Sequence, residues 1–176
     1  TYFNINPSCT VLASALIART RRMKVGVIGH VLPLRHPIQT AEEFAQLDIL
    51  SGGRFIGGIV RGVPQEYVSF NVDPFTSRER FAETLEILKR AWTEDSFSYD
   101  GRFYSFRNVH LVPKPYQKPY PELRMAVNSP DTFPAVGTLG LPIFAAVRIG
   151  TLSELGPNIA AYRAAWKAAG HPGQGG

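Results

Sequence analysis

Cysteine is nearly absent: Cys9 stands alone, so no internal disulfide forms, and no Cys/His cluster has zinc-ligand spacing. A stapled secreted scaffold and a structural zinc site are therefore excluded, and a reducing, cytoplasmic setting is expected. No apolar run approaches the ~18 residues that a bilayer-spanning helix needs, so no membrane span is expected. The GxSxG, HExxH, P-loop and GxGxxG fingerprints are all missing, which leaves hydrolase, zincin, kinase-like and Rossmann readings without support. Acidic residues are missing from the start of the chain; the first is Glu42. The five bases Arg19, Arg21, Arg22, Lys24 and Arg35 thus stand without local counter-charge, although the net charge is only +5. They lack the aromatic interleaving of a single-strand binder and the basic stripe of a duplex reader. No nucleic-acid partner is expected, and a phosphorylated small molecule would satisfy the excess as well.

What is present suits one globular domain. The 176 residues are 44% hydrophobic and 19% charged, with 11% aromatics, enough to bury roughly two-thirds of the unfolded surface. The chain starts at Thr1 with neither an initiator Met nor signal-peptide regions and ends in the Gly-rich stretch Gly173 to Gly176, as expected of an internal fragment.

Periodicity predicts alternating helices and strands. Asn6 and Pro7 open a helix over 7–20 whose apolar Val11, Leu12, Ala15 and Leu16 recur at helical spacing. Lys24 to Leu32 reads as a strand buried on both faces. Thr40 and Glu43 have capping-box spacing for a helix ending at Ser51-Gly52-Gly53, and a strand from Arg54 to Arg61 follows. Thr76 and Glu79 repeat the box for a long helix striped by Phe81, Leu85, Leu88 and Trp92. Residues 96–122 form an insertion: a hairpin turning at Asp100-Gly101, then an extended segment held by Pro113, Pro115, Pro119 and Pro121. Leu123 to Val127 is a third strand, Pro130 or Asp131 opens a short helix, Pro142 to Val147 is a fourth strand, and Ile159, Tyr162 and Trp166 stripe a last helix. This order predicts an α/β fold with parallel strands, compatible with a doubly wound sheet or with half of an eight-stranded barrel. In both, ligands bind at the carboxyl ends of the strands.

The residues at those ends leave open alternatives. Arg61 follows Gly57 and Gly58 and either grips a phosphate bidentately or pairs with Glu66 or another loop acid. Asn128, Ser129 and Thr132 sit where a strand turns into a helix, where they either bind an anion or simply cap. With Arg61 on the same rim they are expected to form a phosphate site. His30 and His36 flank the loop after the first strand, and neither is assigned a catalytic role. Gly26 and Gly29 suggest a flat strand surface or the close approach of a ligand.

The stretches RMKVGVIGHVLPLRHPIQTAEEFAQLDILSGGRFIGGIVRGV (Arg22 to Val63) and SRERFAETLEILKRAW (Ser77 to Trp92), with NSPDT (Asn128 to Thr132) and GLP (Gly140 to Pro142), resemble the bacterial luciferase-like family of flavin-dependent monooxygenases. The LPLRHP turn, the LD-SGGRF junction and the VRG strand end, in that order, carry most of the resemblance. It implies part of a (β/α)8 TIM-type barrel, about half of one over 1–176, that uses reduced FMN and O2 to oxidise a small organic substrate. By the family pattern Arg61, Ser129 and Thr132 hold the FMN phosphate, with Asn128 beside them. A non-proline cis peptide under the flavin ring falls at Ile28-Gly29. The family's catalytic histidine falls before Thr1. The resemblance also implies a flavin reductase as supplier and a homo- or heterodimer. It leaves as alternatives an oxidoreductase of the same superfamily using the deazaflavin F420 and a non-catalytic flavin-binding accessory subunit.

Overall fold

The computed structural model describes residues 8–145 and 152–175. The expected Asn6 cap and Pro7 lie outside them, as do Ala146 and Val147 of the expected fourth strand. The chain divides into two compact units, Thr1–Glu122 and Leu123–Gly176.

In the first unit α1 (Cys9–Arg19) leads into β1 (Val25–Val31), α2 (Pro37–Ser51) and β2 (Phe55–Val60). Ser8 caps α1, its hydroxyl accepting from the Val11 amide at 3.3 Å. The face of α1 that packs on β1 and α2 carries Ala13 and Ile17, whereas Val11, Leu12 and Leu16 face outward. The expected apolar stripe is therefore not the buried one: α1 has apolar residues on more than one face, and tertiary contacts choose among them.

β1 and β2 run parallel, Val25 opposite Phe55 through Val31 opposite Val60. The predicted double-sided burial of the first strand does not hold, because Val25 and Val27 are buried while Gly26 and Ile28 are exposed. One face is covered by helices; the other is open. Gly52, with φ 64°, closes α2 in the left-handed conformation that glycine tolerates, as the Ser51-Gly52-Gly53 signal predicts. At the start of α2, Pro37 occupies the first turn and the Thr40–Glu43 box does not form, because Thr40 is buried and turned toward His30.

The chain continues through α3 (Pro64–Ser69), a short helix the sequence reading did not anticipate, and α4 (Ser77–Thr93). Phe81, Leu85, Leu88 and Trp92 are all buried, as their spacing predicts. The Trp92 indole N–H donates to the Ala41 carbonyl at 3.0 Å, and its ring stacks on Phe44, which in turn meets Phe55 edge-on. The Thr76 hydroxyl does not cap α4; it donates to the Asp73 carbonyl at 2.7 Å. The hairpin pairs β3 (Phe97–Asp100) with β4 (Ser105–Val109), Asp100 lying opposite Ser105. The turn therefore spans Gly101 to Tyr104 rather than being centred on Asp100-Gly101. The register is set by α4: the Glu83 carboxylate accepts from the Arg102 and Phe103 amides at 2.8 and 3.1 Å, and a longer loop gives it both donors.

The extended segment after the hairpin returns to the far end of α2. There the buried Asp48 carboxylate accepts from the Gln117 backbone amide and side-chain amide, both at 2.7 Å. Gln117 Nε2 also donates to the Phe55 carbonyl at 2.9 Å. Arg54 closes the same end, its guanidinium donating to the Thr20, Met23 and Ser51 carbonyls.

In the second unit β5 (Glu122–Val127, its first residue on the boundary) pairs parallel with β6 (Ile143–Ala145). α5 (Thr132–Leu139) packs on α6 (Leu152–Ala168) so closely at Gly137 that a Cβ there would stand 2.4 Å from the Tyr162 carbonyl oxygen. The Tyr162 hydroxyl lies 3.0 Å from the Leu141 carbonyl and 2.8 Å from that of Gly175. Among the described residues no helix is long and apolar enough to cross a membrane.

Asp48→Ala takes the acceptor from the part-buried Gln117 backbone and side-chain amides and is expected to cost about 1 to 3 kcal/mol, whereas Asp48→Asn, which keeps one acceptor, costs less. Urea unfolding midpoints of the three proteins check the ranking.

Candidate functional site

The register of β1 slips by one residue at its carboxyl end: Ile28 faces Gly58, His30 faces Ile59, and Gly29 is left over. This is a β-bulge, and Gly29 accommodates it with φ 115°, a conformation that L side chains rarely adopt. Among the described residues the cis peptide bonds are Val112-Pro113 and Lys118-Pro119. The cis peptide expected at Ile28-Gly29 is thus not present; the chain turns there through the bulge instead. A Cβ on Gly29 would meet nothing within 4 Å, and Ile28 is 61% exposed. The two residues form an open floor.

The extra residue also shifts the alternation of the strand, so that His30 continues the buried face of Val25 and Val27. Its ring lies edge-on to Phe44 with centroids 5.0 Å apart. Nε2 pairs with the Thr40 hydroxyl at 3.2 Å, and Nδ1 lies 3.7 Å from Cys9 Sγ. Burial, and then the nearby Arg35 guanidinium, disfavour the imidazolium and lower the His30 pKa from 6.5 to about 4. Burial likewise raises the Cys9 thiol above its usual range, against the opposing pull of Arg35. The pair is a neutral thiol beside a neutral imidazole, which joins α1, β1 and α2.

Above this floor lies an open cleft of about 210 Å³ at the carboxyl ends of β1 and β2. Ile28, Gly29 and Val60 bring the strands to it, Leu34 and Arg35 the loop after β1, and Glu66 and Phe70 the region of α3. In the sequence Arg35 stands out only as one of five bases without local counter-charge and by its place inside LPLRHP, and Phe70 carries no signal. His36 lies at the start of α2, exposed, its ring edge-on to Phe106 and Tyr104 of the hairpin.

Arg61 follows β2 directly, and its backbone carbonyl accepts the Tyr67 hydroxyl. Among the described residues its guanidinium makes no hydrogen bond or ion pair, so the expected alternative pairing with Glu66 is not formed. In the second unit, Asn128, Ser129 and Thr132 occupy the turn from β5 into α5. The Ser129 and Thr132 hydroxyls are brought to 2.6 Å, and the Thr132 amide donates to the Ser129 carbonyl at 2.9 Å. Asp131 holds the N-cap position without a side-chain cap bond, so the two hydroxyls gather at the start of α5 independently of capping.

Two measurements test the bulge. Gly29→Ala forces a Cβ into a left-handed backbone and is expected to cost about 1 to 2 kcal/mol, read from denaturant midpoints, although there is room for the methyl group. For His30 the depressed pKa means that the unfolded chain takes up a proton near pH 6.5 while the folded chain resists until about pH 4. Stability should therefore be level in this respect above pH 6.5 and fall by on the order of 3 kcal/mol as pH drops through that window. His30→Gln should remove that component, and an unchanged pH slope in the variant would rule His30 out as its source.

Comparison with known proteins places this architecture. The alkanal monooxygenase alpha chain of Aliivibrio fischeri is 32% identical over 152 residues, which is 86% of this chain and 43% of that protein. The monooxygenase RslO1 from Streptomyces bottropensis superposes with a TM-score of 0.85 at 28% identity, over 96% of this chain and 52% of its own. The oxygenating constituent of 3,6-diketocamphane monooxygenase from Pseudomonas putida, solved in complex with FMN, gives 0.84 at 21% identity over 94% and 49%. The chain thus spans about half the length, or less, of these relatives. Its parallel α/β architecture is that of a partial luciferase-like barrel. Since the luciferase-like monooxygenase family model also matches residues 1–175, the chain belongs to that family.

Proposed function

We propose that this chain forms part of a flavin-dependent monooxygenase that uses reduced FMN and O2 to oxidise a small organic substrate, with a separate flavin reductase supplying the reduced cofactor. The observation that carries the reading is the open cleft at the carboxyl ends of β1 and β2, floored by Ile28 and the bulged Gly29. That is the end of a barrel where reaction sites are built, and a floor without a Cβ at Gly29 suits a flat ring lying against the backbone. The Pseudomonas putida fold relative was solved with FMN, which supports the choice of cofactor.

Bound reduced flavin would supply the electrons that activate O2. The chain's own residues bind, orient and shield. Arg61, whose guanidinium has no hydrogen-bond or ion-pair partner among the described residues, is proposed to hold the phosphate. Ser129 and Thr132, with hydroxyls gathered at the start of α5, are proposed to donate to phosphate as well, with Asn128 contributing through its backbone. Ile28 and Gly29 support the ring, and the apolar side chains around them, Val60 and Leu34 among them, keep water from it.

Titration of the full-length protein with FMN, riboflavin and F420 tests the reading. FMN should bind more tightly than the other two. Arg61→Ala should weaken FMN by an order of magnitude or more, because a charge-assisted bidentate contact contributes ~1.5 to 3 kcal/mol, and should leave riboflavin unaffected. Preference for F420 would redirect the reading to a hydride-transferring oxidoreductase, and an unchanged FMN titration in the variant would remove Arg61 from the site.

A further inference from the structure

The cleft carries two charged side chains of opposite sign, Arg35 and Glu66. Arg35 lies in the loop after β1, where the short helix Leu32–Leu34 ends and the backbone becomes extended. Its side chain is partly buried and lines the cleft, close enough to the inner wall to act electrostatically on both His30 and Cys9. Among the described residues the Arg35 guanidinium makes no hydrogen bond, ion pair or ring contact. The other charged group of the cleft, Glu66, has its carboxylate turned onto the Val63 amide at 3.0 Å, at the start of α3. The rest of the lining combines apolar Ile28, Val31, Leu34, Val60 and Phe70 with Gly29 and the uncharged Cys9 and His30. A guanidinium held against apolar walls loses part of its hydration and keeps five directed donors, and a planar anion restores both.

We propose that the cleft selects a small organic acid, its carboxylate paired with Arg35 and its apolar body lying against Phe70, with Ile28, Leu34 and Val60 left to the flavin ring. This inference deepens the proposed oxygenase reading by naming its substrate class, and it rests on that reading for the claim that the bound acid is what reacts. The binding itself depends only on the cleft. Neutral substrates of the same shape would leave Arg35 unpaired and bind less well, so the residue sets specificity without taking part in bond making. The neutral His30 and Cys9 add no negative charge to oppose the carboxylate, and the acid of the cleft lining, Glu66, has its carboxylate on the Val63 amide.

Calorimetric titration of the full-length protein with hexanoate and with 1-hexanol tests the proposal. Hexanoate should bind at least tenfold more tightly than the alcohol. Arg35→Gln should abolish the difference, and Arg35→Lys should keep part of it; matching melting curves show that the variants are folded. Equal binding of acid and alcohol by the natural protein overturns the proposal, as does a preference that survives Arg35→Gln. The same anion chemistry is offered by the flavin phosphate, so FMN and riboflavin are titrated in parallel. If Arg35→Gln removes the advantage of FMN over riboflavin, Arg35 serves the cofactor and the proposal falls. If flavin fails to bind while the Arg35-dependent preference for hexanoate holds, the oxygenase reading falls and the acid-binding cleft stands.

Discussion

A single inserted residue in β1 organises the functional end of the first unit. Without the bulge at Gly29 the strand would keep strict alternation, and Gly29 rather than His30 would continue the face on which Val25 and Val27 are buried. With it, the imidazole turns inward to Thr40, Phe44 and Cys9, so that one side chain bridges the strand to both flanking helices. The backbone released on the other face becomes the floor of the cleft. Packing and site are two outcomes of the same local shift, and glycine at that position is a requirement of the backbone, not of space.

The architecture was legible where a single face decides the outcome. Phe81, Leu85, Leu88 and Trp92 define one stripe of α4, and that stripe is buried. Gly52 ends α2 where the chain needs a left-handed residue, because the signal and its cause are both local. Legibility failed where a distant partner competed for a local group. Thr40 has the right neighbours for a capping box, but a buried histidine on another element claims its hydroxyl. The Asp100-Gly101 dipeptide favours a two-residue turn, but Glu83 on α4 collects two amides from a longer one. In α1 apolar residues point in more than one direction, so the sequence alone did not say which would meet β1.

The same distinction runs through the site. Arg61 was identifiable because it ends a glycine-rich strand, whereas its lack of a pairing with Glu66 depends on how α3 turns that carboxylate onto the Val63 amide. Ser129 and Thr132 were legible from their place between strand and helix, and the structure draws their hydroxyls together. The conformation at Ile28-Gly29 was assigned by family pattern as a cis peptide, whereas the local solution is a change of register, which composition and periodicity do not encode. Arg35 was legible only as one of five bases without local counter-charge; its place in the cleft depends on which side chains the fold brings around it.

The clasp between Asp48 and Gln117 has a consequence for the order in which the chain is made. Its two halves are separated by 69 positions, so a ribosome that has released α2 and β2 must still deliver α3, α4 and the hairpin before the carboxylate finds its donors. Until then Asp48 stays hydrated, because enclosing a carboxylate without partners costs far more than packing around it returns. Closure of that end of the first unit therefore waits for the segment after the hairpin, and the nascent chain retains an open, water-filled end while the helices behind it are already forming.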